Sequence, residues 1–250
     1  ADAHSPLHQF VIEPIVSLPI FGVDLAFTNA SLWMMIAVVL SVGFFAYATA
    51  PRALVPDRAQ MMAESLYAFI ANMVRENTGT AGMQYFPFVF TTFMIVFLGN
   101  ALGMIPHAFT YTSHIIVTGA LALFIFFMVL VIGVARHGTH FLHLFLPPGV
   151  PMWLAPVIIP IELISFLVRP VTLAVRLFAN MMAGHIMLKV FAGLSITALG
   201  MGTAGIVVGV APALFNSVLM GFECLIAFLQ AYVFTILTCI YLKDTIEIGH

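Results

Sequence analysis

The long apolar run 152–194 contains ionisable side chains at regular spacing. Glu162, Arg169 and Arg176 follow one another at seven-residue steps. Asn180 lies one helical turn beyond Arg176. At this spacing the side chains share one face of a helix. Because an arginine keeps its proton in a protein, Arg176 is a permanent cation and a strong partner for a carboxylate.

A second polar stripe occurs in the apolar run 206–242. Asn216, Glu223 and Gln230 recur there at seven-residue steps. His185 is the one histidine that lies far from the end of an apolar segment. A carboxyl group and an imidazole exchange protons near neutral pH when burial and pairing tune them. A permanent cation beside such groups and amides predicts an ion path with an electrostatic barrier in it.

If the two runs form an antiparallel hairpin, a single register, meaning one fixed set of facing residues, accounts for both polar stripes. It sets Arg176 opposite Gln230. It also sets His185 opposite Glu223 and places the turn near 203–204, within the glycine-rich GMGTAG. No second carboxylate stands close to Arg176 on its own helix, so we expect its partner to come from another subunit.

Other polar residues at membrane depth keep more than one interpretation. Glu162 is either functional or a polar contact between helices, and Arg169 either shapes a channel mouth or pairs with lipid phosphate. Asn100, in FLGNALG, either joins helices or lines an outer access path. Extended to its ends, the hairpin register predicts further neighbours: Glu162 near Lys243 or Asp244, and Lys189 near Ser217 or Val218.

The composition is that of an integral membrane protein. Of 250 residues, 62% are hydrophobic and 7% are charged, with a mean hydropathy of +1.13, whereas a soluble domain carries about 25% charged residues. The net charge of −2 leaves no polybasic stripe for nucleic acid.

Cys224 and Cys239 lie in apolar runs and are expected to be buried. The three histidines that follow the third span are expected in a plain interfacial loop rather than a metal site. They are His137, His140 and His143.

The gaps between charges predict an all-α membrane protein with about five crossing helices and one amphipathic surface helix. In the surface helix, apolar side chains recur at helical spacing at Met62, Leu66, Phe69, Ile70 and Met73. Basic residues in the short loops place the N-terminus outside and the C-terminus inside. The expected single membrane domain, 1–250, comprises an extramembrane segment 1–30, a first span 31–50, the surface helix 55–79, a helical hairpin 86–135 and a long tilted hairpin 152–242.

Three segments resemble one family. RPVTLAVRLFANMMAGH, residues 169–185, resembles the arginine-bearing segment of subunit a of F-type ATP synthases. GNALGMIPHAFTYTSH, residues 99–114, is similar to the family's Gly-Leu-Leu-Pro turn, and LQAYVFTILTCIYL, residues 229–242, to its last helix. The similarity extends from the first span to YLKDTIEI.

The resemblance implies a role for each polar residue of the hairpin. Arg176 would be the stator arginine that faces the proton-carrying carboxylate of the rotating c ring, flanked by Asn180 and Gln230. His185 and Glu223 would belong to an aqueous half-channel. Some bacterial relatives carry the acid and the histidine the other way round, which leaves open which group carries the proton.

The implied function is proton translocation through two offset half-channels, coupled to ring rotation and ATP synthesis. The chain has no GxxxxGK[ST] motif, so it is not expected to be an enzyme on its own or to bind a cofactor or metal. The implied partners are the c ring, b-type subunits of the peripheral stalk and membrane lipid, and the implied location is a bacterial inner membrane rather than a mitochondrial one. The alternative is a self-contained ion channel or secondary transporter, which would need its own coupling carboxylate and usually an internal repeat.

Overall fold

Apolar segments in lipid form helices because each backbone N–H and C=O must then be paired within its own segment. The computed structural model describes residues 10–20, 23–50, 56–105, 108–138, 141, 152–201 and 203–246. This part of the chain is almost entirely helical, which confirms the all-α prediction. The α-helices are α1 Asn29–Thr49, α2 Arg58–Thr78, α3 Phe86–Gly103, α4 Ile115–His137, α5 Ala155–Leu199 and α6 Thr203–Ile246.

Five helical segments in the described ranges are long and apolar enough to cross a membrane. Short 3₁₀ helices at Thr80–Tyr85, Tyr111–Ser113 and Met152–Leu154 precede or separate them. The chain is therefore a multi-pass membrane protein. The five candidate spans are Asn29–Thr49, Thr80–Gly103, Ile115–His137, Ala155–Leu199 and Val208–Ile246.

The last two helices, α5 and α6, form a hairpin of unusual length. They contain 45 and 44 residues, and at about 1.5 Å per residue each is about 67 Å long. This is about twice the 30 Å thickness of a hydrocarbon core, so neither helix can lie along the membrane normal. The turn falls between Leu199 and Thr203, slightly before the predicted position at 203–204.

The predicted surface helix is present as α2, and its position on the membrane surface remains a prediction. The Asp57 side chain caps α2 by accepting a hydrogen bond from the Gln60 backbone N–H at 2.8 Å, and Gly79 ends the helix with a φ of 63°. Met62, expected on the apolar face, is 62% exposed. Ile70 and Met73 of the predicted apolar face are buried within the chain, and the full buried set of α2 is Ala63, Ile70, Ala71, Met73, Val74 and Thr78.

Two short strands precede the helices and were not predicted. Strands β1, Pro14–Ile20, and β2, Val23–Thr28, pair antiparallel. Asn29 then joins this hairpin to the start of α1, since its side-chain Nδ2 donates to the Val11 carbonyl at 3.1 Å and its backbone N–H donates to the Glu13 carbonyl at 3.2 Å. Two apolar stretches on either side of Gly22 were the available signal for a hairpin.

The chain divides into two compact units, each assembled from three separate stretches. The second unit has an aromatic interior. In it the Phe45 and Phe90 rings lie 5.2 Å apart, and Phe126 and Phe166 lie 4.9 Å apart. The first unit comprises Ala1–Leu40, Ile95–Ile115 and Leu177–Ala231, and the second comprises Ser41–Met94, Ile116–Arg176 and Tyr232–His250.

Two glycines of α3 let the chain pack closely in the first unit. A Cβ atom at Gly99 would collide with the hydroxyl of Tyr111, and one at Gly103 would collide with the side chain of Thr110. The Tyr111 hydroxyl donates to the Ile95 carbonyl at 2.9 Å. Burial raises the pKa of Tyr111 above its usual value, so this hydroxyl stays protonated and remains a donor. The four-residue glycine spacing therefore fixes the 110–113 segment against α3.

Cysteine burial was predicted correctly at one position only. Cys239 is buried, whereas Cys224 is exposed on α6. An apolar run in a membrane protein has lipid-facing positions as well as packed ones, so hydrophobicity alone does not predict burial within the chain.

The close approach at α3 yields a first prediction. Gly99→Ala should destabilise the chain by about 1–3 kcal/mol, because a well-packed site must shift to admit a methyl group. Gly119→Ala is the matched control, since a Cβ atom there would have no neighbour within 4 Å. Thermal stability of the detergent-solubilised complex, followed by retention of this chain in the folded fraction, should fall for Gly99→Ala only. Equal stability of both variants would contradict the packing argument.

Candidate functional site

The hairpin holds a buried acid–histidine pair in the first unit. His185 of α5 places its Nδ1 atom 2.9 Å from Oε1 of Glu223 on α6, and the two side chains are only 9% and 4% exposed. The structure thus brings together the two residues that the register set opposite each other. An isolated ionisable group at this depth is costly, so the two groups are better tolerated in contact than apart.

Gly184 makes room for the carboxylate of this pair. A Cβ atom at Gly184 would lie 2.7 Å from Glu223 Oε1 and 3.0 Å from its Cδ atom. Any larger residue would therefore push the acid away from the imidazole that follows it in the sequence. The Ala-Gly-His order in MMAGH has a direct steric reason.

The second nitrogen of His185 contacts a residue that the sequence analysis missed. Nε2 lies 2.8 Å from the Thr110 hydroxyl, which also donates to the Gly103 carbonyl at 3.1 Å. Thr110 is buried. The signal available in the sequence was the hydroxyl-rich stretch TYTS, residues 110–113, which follows a proline-containing break between two spans.

The beginning of the described chain covers the same histidine. The Phe10 ring lies 6.4 Å from the His185 ring at an angle of 32°. The Phe10 carbonyl accepts a hydrogen bond from His114 Nε2 at 2.8 Å. The first described residue therefore contacts both His185 and His114.

Several buried polar atoms of the first unit have no hydrogen-bond partner among the described residues. Asn100 is fully buried and its Nδ2 donates to the Ala227 carbonyl at 3.3 Å, but its Oδ1 accepts nothing. Neither carboxylate oxygen of Glu223 accepts a hydrogen bond from the described residues, although Oε1 lies 2.9 Å from His185 Nδ1. Buried polar atoms of this kind are usually met by ordered water. The others of this group are Thr112 Oγ1 and Asn216 Oδ1.

The remaining members of the predicted stripes differ in exposure. Arg176 and Asn180 are exposed on α5, whereas Gln230 is buried on α6. Lys189 is also exposed. The pairing of Arg176 with Gln230 and the neighbours of Lys189 remain predictions.

The hairpin register holds near the turn and shifts at the far end. In the first unit, the Phe191 and Phe215 rings lie 4.7 Å apart, and the Ser195 hydroxyl donates to the Gly209 carbonyl at 2.7 Å. Both contacts follow the register of the acid–histidine pair. The turn therefore sets which residues face each other within this unit.

In the second unit, Arg169 binds Asp244, with 2.8 Å between Nη1 and Oδ2. The expected position of Glu162 near Lys243 or Asp244 remains a prediction. A constant register requires two helices of equal curvature, and α5 carries Pro160 and Pro170 in this stretch, each without a backbone donor. Glu162 is partly exposed and makes no ion pair with any residue that the structure describes.

Arg169 therefore has a partner within the chain. Its guanidinium also lies 5.4 Å from the centre of the Tyr241 ring and 5.9 Å from that of Phe166. The Arg169 and Asp244 side chains are 29% and 35% exposed, so solvent or lipid headgroups reach this pair. The two earlier interpretations of Arg169, a channel mouth and a lipid phosphate contact, are both compatible with this position.

The described residues contain no cluster of three or more histidine, cysteine, aspartate or glutamate side chains that could hold a metal. Of the three loop histidines, His137 is described, whereas His140 and His143 lie outside the described residues. The loop prediction therefore remains untested.

Comparison with known proteins identifies the family of this chain. Residues 31–243 match the family described as ATP synthase A chain. The chain belongs to this family. It is similar to ATP synthase subunit a of Rhodospirillum rubrum, with 57% identity over 244 residues that cover 98% of this chain and 99% of the relative.

Two further relatives extend the same similarity. ATP synthase subunit a of Rhizobium etli is 52% identical over 247 residues, covering 99% of each chain. That of Agrobacterium fabrum is 51% identical over 248 residues, covering 99% of this chain and 100% of the relative. The residues that match the family, 31–243, thus include the arginine segment, the acid–histidine pair and nearly all of the hairpin.

The facing geometry of His185 and Glu223 yields a second prediction. The double exchange His185→Glu with Glu223→His should retain more ATP-driven proton pumping in membrane vesicles than either single change. Each single change leaves two acids or two imidazoles in contact, whereas the exchange keeps one of each. His185→Glu with Asn216→His is the mismatched control and should not restore pumping. Equal losses in the exchange and in both single variants would argue against the pairing.

Proposed function

We propose that the chain translocates protons in an F-type ATP synthase, at a surface where it faces the rotating c ring. The observation that carries the proposal is the exposed position of Arg176 on a membrane-spanning helix of this family. A cation at membrane depth costs at least about 2.5–3.5 kcal/mol on insertion scales. A carboxylate presented by a neighbouring subunit would remove that cost.

The surface around Arg176 suits a partner that slides past it. Asn180 is exposed one turn further along α5. The neighbouring exposed positions of α5 are small or aliphatic and contribute no other charge at this level. They include Val168, Thr172, Val175, Ala179 and Ala183.

The buried pair and the atoms without partners support one of two half-channels. His185 and Glu223 supply groups that take up and release protons. The unpartnered oxygens of Asn100, Thr112 and Asn216 belong to the same unit and offer acceptors for water along a path. The N-terminal segment, predicted to be outside, belongs to this unit as well, so we assign these groups to the outer half-channel.

The proposed mechanism follows from the charge of the ring carboxyl group. When protonated it is neutral and can face lipid, but when ionised it must stay near Arg176. Rotation therefore requires that a proton be taken up from one half-channel and released to the other. Arg176 keeps the two paths from joining into a leak. Moving one charge through 100 mV yields about 2.3 kcal/mol, so several ring steps must contribute to each ATP.

The remaining partners and the location complete the proposal. Helix α1 exposes large apolar side chains such as Val39 and Val42. Lipid and b-type peripheral-stalk subunits would cover such faces. The bacterial relatives favour the inner membrane of a bacterium as the location. Nucleotide chemistry would then occur in other subunits of the complex.

Arg176→Ala provides the test of this function. In inverted vesicles that contain the assembled complex, ATP-driven acidification should be abolished, and passive proton permeability should rise because the barrier between the half-channels is gone. Val175→Ala is the matched control, as Val175 is the exposed neighbour on the same helix.

Two other outcomes would count against the proposal. Unchanged coupling in Arg176→Ala vesicles that contain normal amounts of this chain and of the c ring would remove Arg176 from its role. Proton flux through the chain in vesicles that lack the c ring would favour a self-contained channel instead.

A further inference from the structure

Thr110 is placed to decide where His185 carries its proton. The threonine hydroxyl has a single hydrogen and two neighbours, the Gly103 carbonyl at 3.1 Å and His185 Nε2 at 2.8 Å. A carbonyl oxygen only accepts, so in the bond to Gly103 the hydroxyl is the donor. Its oxygen is then free to accept, and Nε2 must carry the hydrogen that it accepts.

The position of this hydroxyl is fixed from several directions. The Thr110 carbonyl accepts a hydrogen bond from the Ser113 hydroxyl at 2.6 Å, and the next residue, Tyr111, is held by the Ile95 carbonyl. The side chain of Thr110 also occupies the space that a Cβ atom at Gly103 would fill. The hydroxyl therefore has little freedom to move away from the imidazole.

The Nε2 side of the imidazole is consequently closed to proton transfer. A proton passed from Nε2 to the Thr110 oxygen would have only the Gly103 carbonyl beyond it, and a backbone carbonyl is not a proton carrier at neutral pH. The other side is open, because Nδ1 faces Glu223 Oε1 and Glu223 Oε2 has no partner among the described residues.

We infer that Thr110 is a positioning residue whose hydroxyl holds His185 protonated at Nε2 and so keeps the transferable proton between Nδ1 and Glu223. Glu223 is then the group of the pair that exchanges protons with its surroundings. This inference rests on the proposed role of the pair in proton translocation, and it assigns the carrier that the residue types alone left open.

The proton balance of the pair follows from this arrangement. We call the pair loaded when it holds its transferable proton and empty when it has released it. In the loaded state the pair is either a neutral carboxyl with a neutral imidazole or a carboxylate with an imidazolium. The net charge of the pair is zero in both forms. Release of that proton from Glu223 leaves a net charge of −1. In the empty pair the hydrogen stays on Nε2, where the Thr110 oxygen accepts it, and Nδ1 faces the carboxylate without a hydrogen. The loaded state therefore has one more hydrogen bond than the empty one, and Thr110 makes the same two hydrogen bonds in both.

The test reads the protonation of His185 directly. Assembled complexes that contain histidine labelled with ¹⁵N in the ring are reconstituted into lipid, and solid-state NMR separates nitrogen that carries hydrogen from bare nitrogen. The His185 signal is identified by its loss in His185→Gln. In the unmodified protein we expect Nε2 to carry the hydrogen and Nδ1 to show the shared proton.

Thr110→Val removes the hydroxyl while keeping the shape of the side chain. The ratio of Nε2-protonated to Nε2-bare His185 should fall about tenfold, which corresponds to the loss of one hydrogen bond of about 1.4 kcal/mol. Thr110→Ser should retain the original ratio. Thr92→Val is the control, because Thr92 is buried but donates only within its own helix, to the Phe88 carbonyl at 3.0 Å.

Several results would overturn the inference. One is a bare Nε2 as the main neutral form of His185 in the unmodified protein, a measurement that does not depend on any Thr110 variant assembling. Another is an unchanged ratio in Thr110→Val, and a third is an equal shift in Thr92→Val. A loss of pumping that is the same in Thr110→Val and Thr110→Ser, with the ratio unchanged in both, would show a role in packing alone.

The proposed function is tested separately by Glu223→Gln in the same vesicles. Full pumping by that variant would remove the pair from the proton path while leaving the NMR result for Thr110 standing. Lost pumping in Glu223→Gln together with an unchanged ratio in Thr110→Val would instead overturn only the role of Thr110.

Discussion

The cost of burying an ionisable group is the constraint on which the rest of this structure depends. His185 and Glu223 are almost completely shielded from solvent, and neither would be stable there alone. Each becomes tolerable because a single proton can be shared across 2.9 Å between them. The glycine at 184 and the hydroxyl of Thr110 both serve this contact, one by making space for the acid and the other by fixing the imidazole.

The ionisable side chains of the hairpin lie in three kinds of surroundings. The acid–histidine pair is buried and shares a proton. The Arg169–Asp244 pair is about one-third exposed, and ion pairs of that exposure contribute little to stability. Arg176 is exposed on a membrane-spanning helix, and we propose that this position faces the c ring.

The long hairpin brings polar residues from distant sequence positions onto two neighbouring helices. Helices of 45 and 44 residues cannot stand upright in a bilayer, so a tilted pair offers a broad surface with polar residues spread along it. Near the turn the register is set by the short connection. Further away, prolines in α5 and the different curvature of the two helices allow it to shift, so Asp244 is bound by Arg169.

The sequence by itself determined the class of the protein, the helices, the polar stripes and the central pair. These features depend on local properties, namely hydrophobic run length, heptad spacing and a glycine-rich turn, which can be read without knowing the tertiary fold. The hairpin turn is short, so the pairing of His185 with Glu223 followed from it. The same local reading missed the strands at Pro14–Ile20 and Val23–Thr28.

Only the tertiary structure decided which groups surround the pair. Thr110 is 75 residues from His185 in the sequence, and nothing periodic connects a hydroxyl in a break between spans to an imidazole in a later helix. Their contact depends on how closely α3 packs, which the side-chain volumes at Gly99 and Gly103 control. The surroundings of the imidazole are therefore a property of packing, because the neighbours of both ring nitrogens come from distant parts of the sequence.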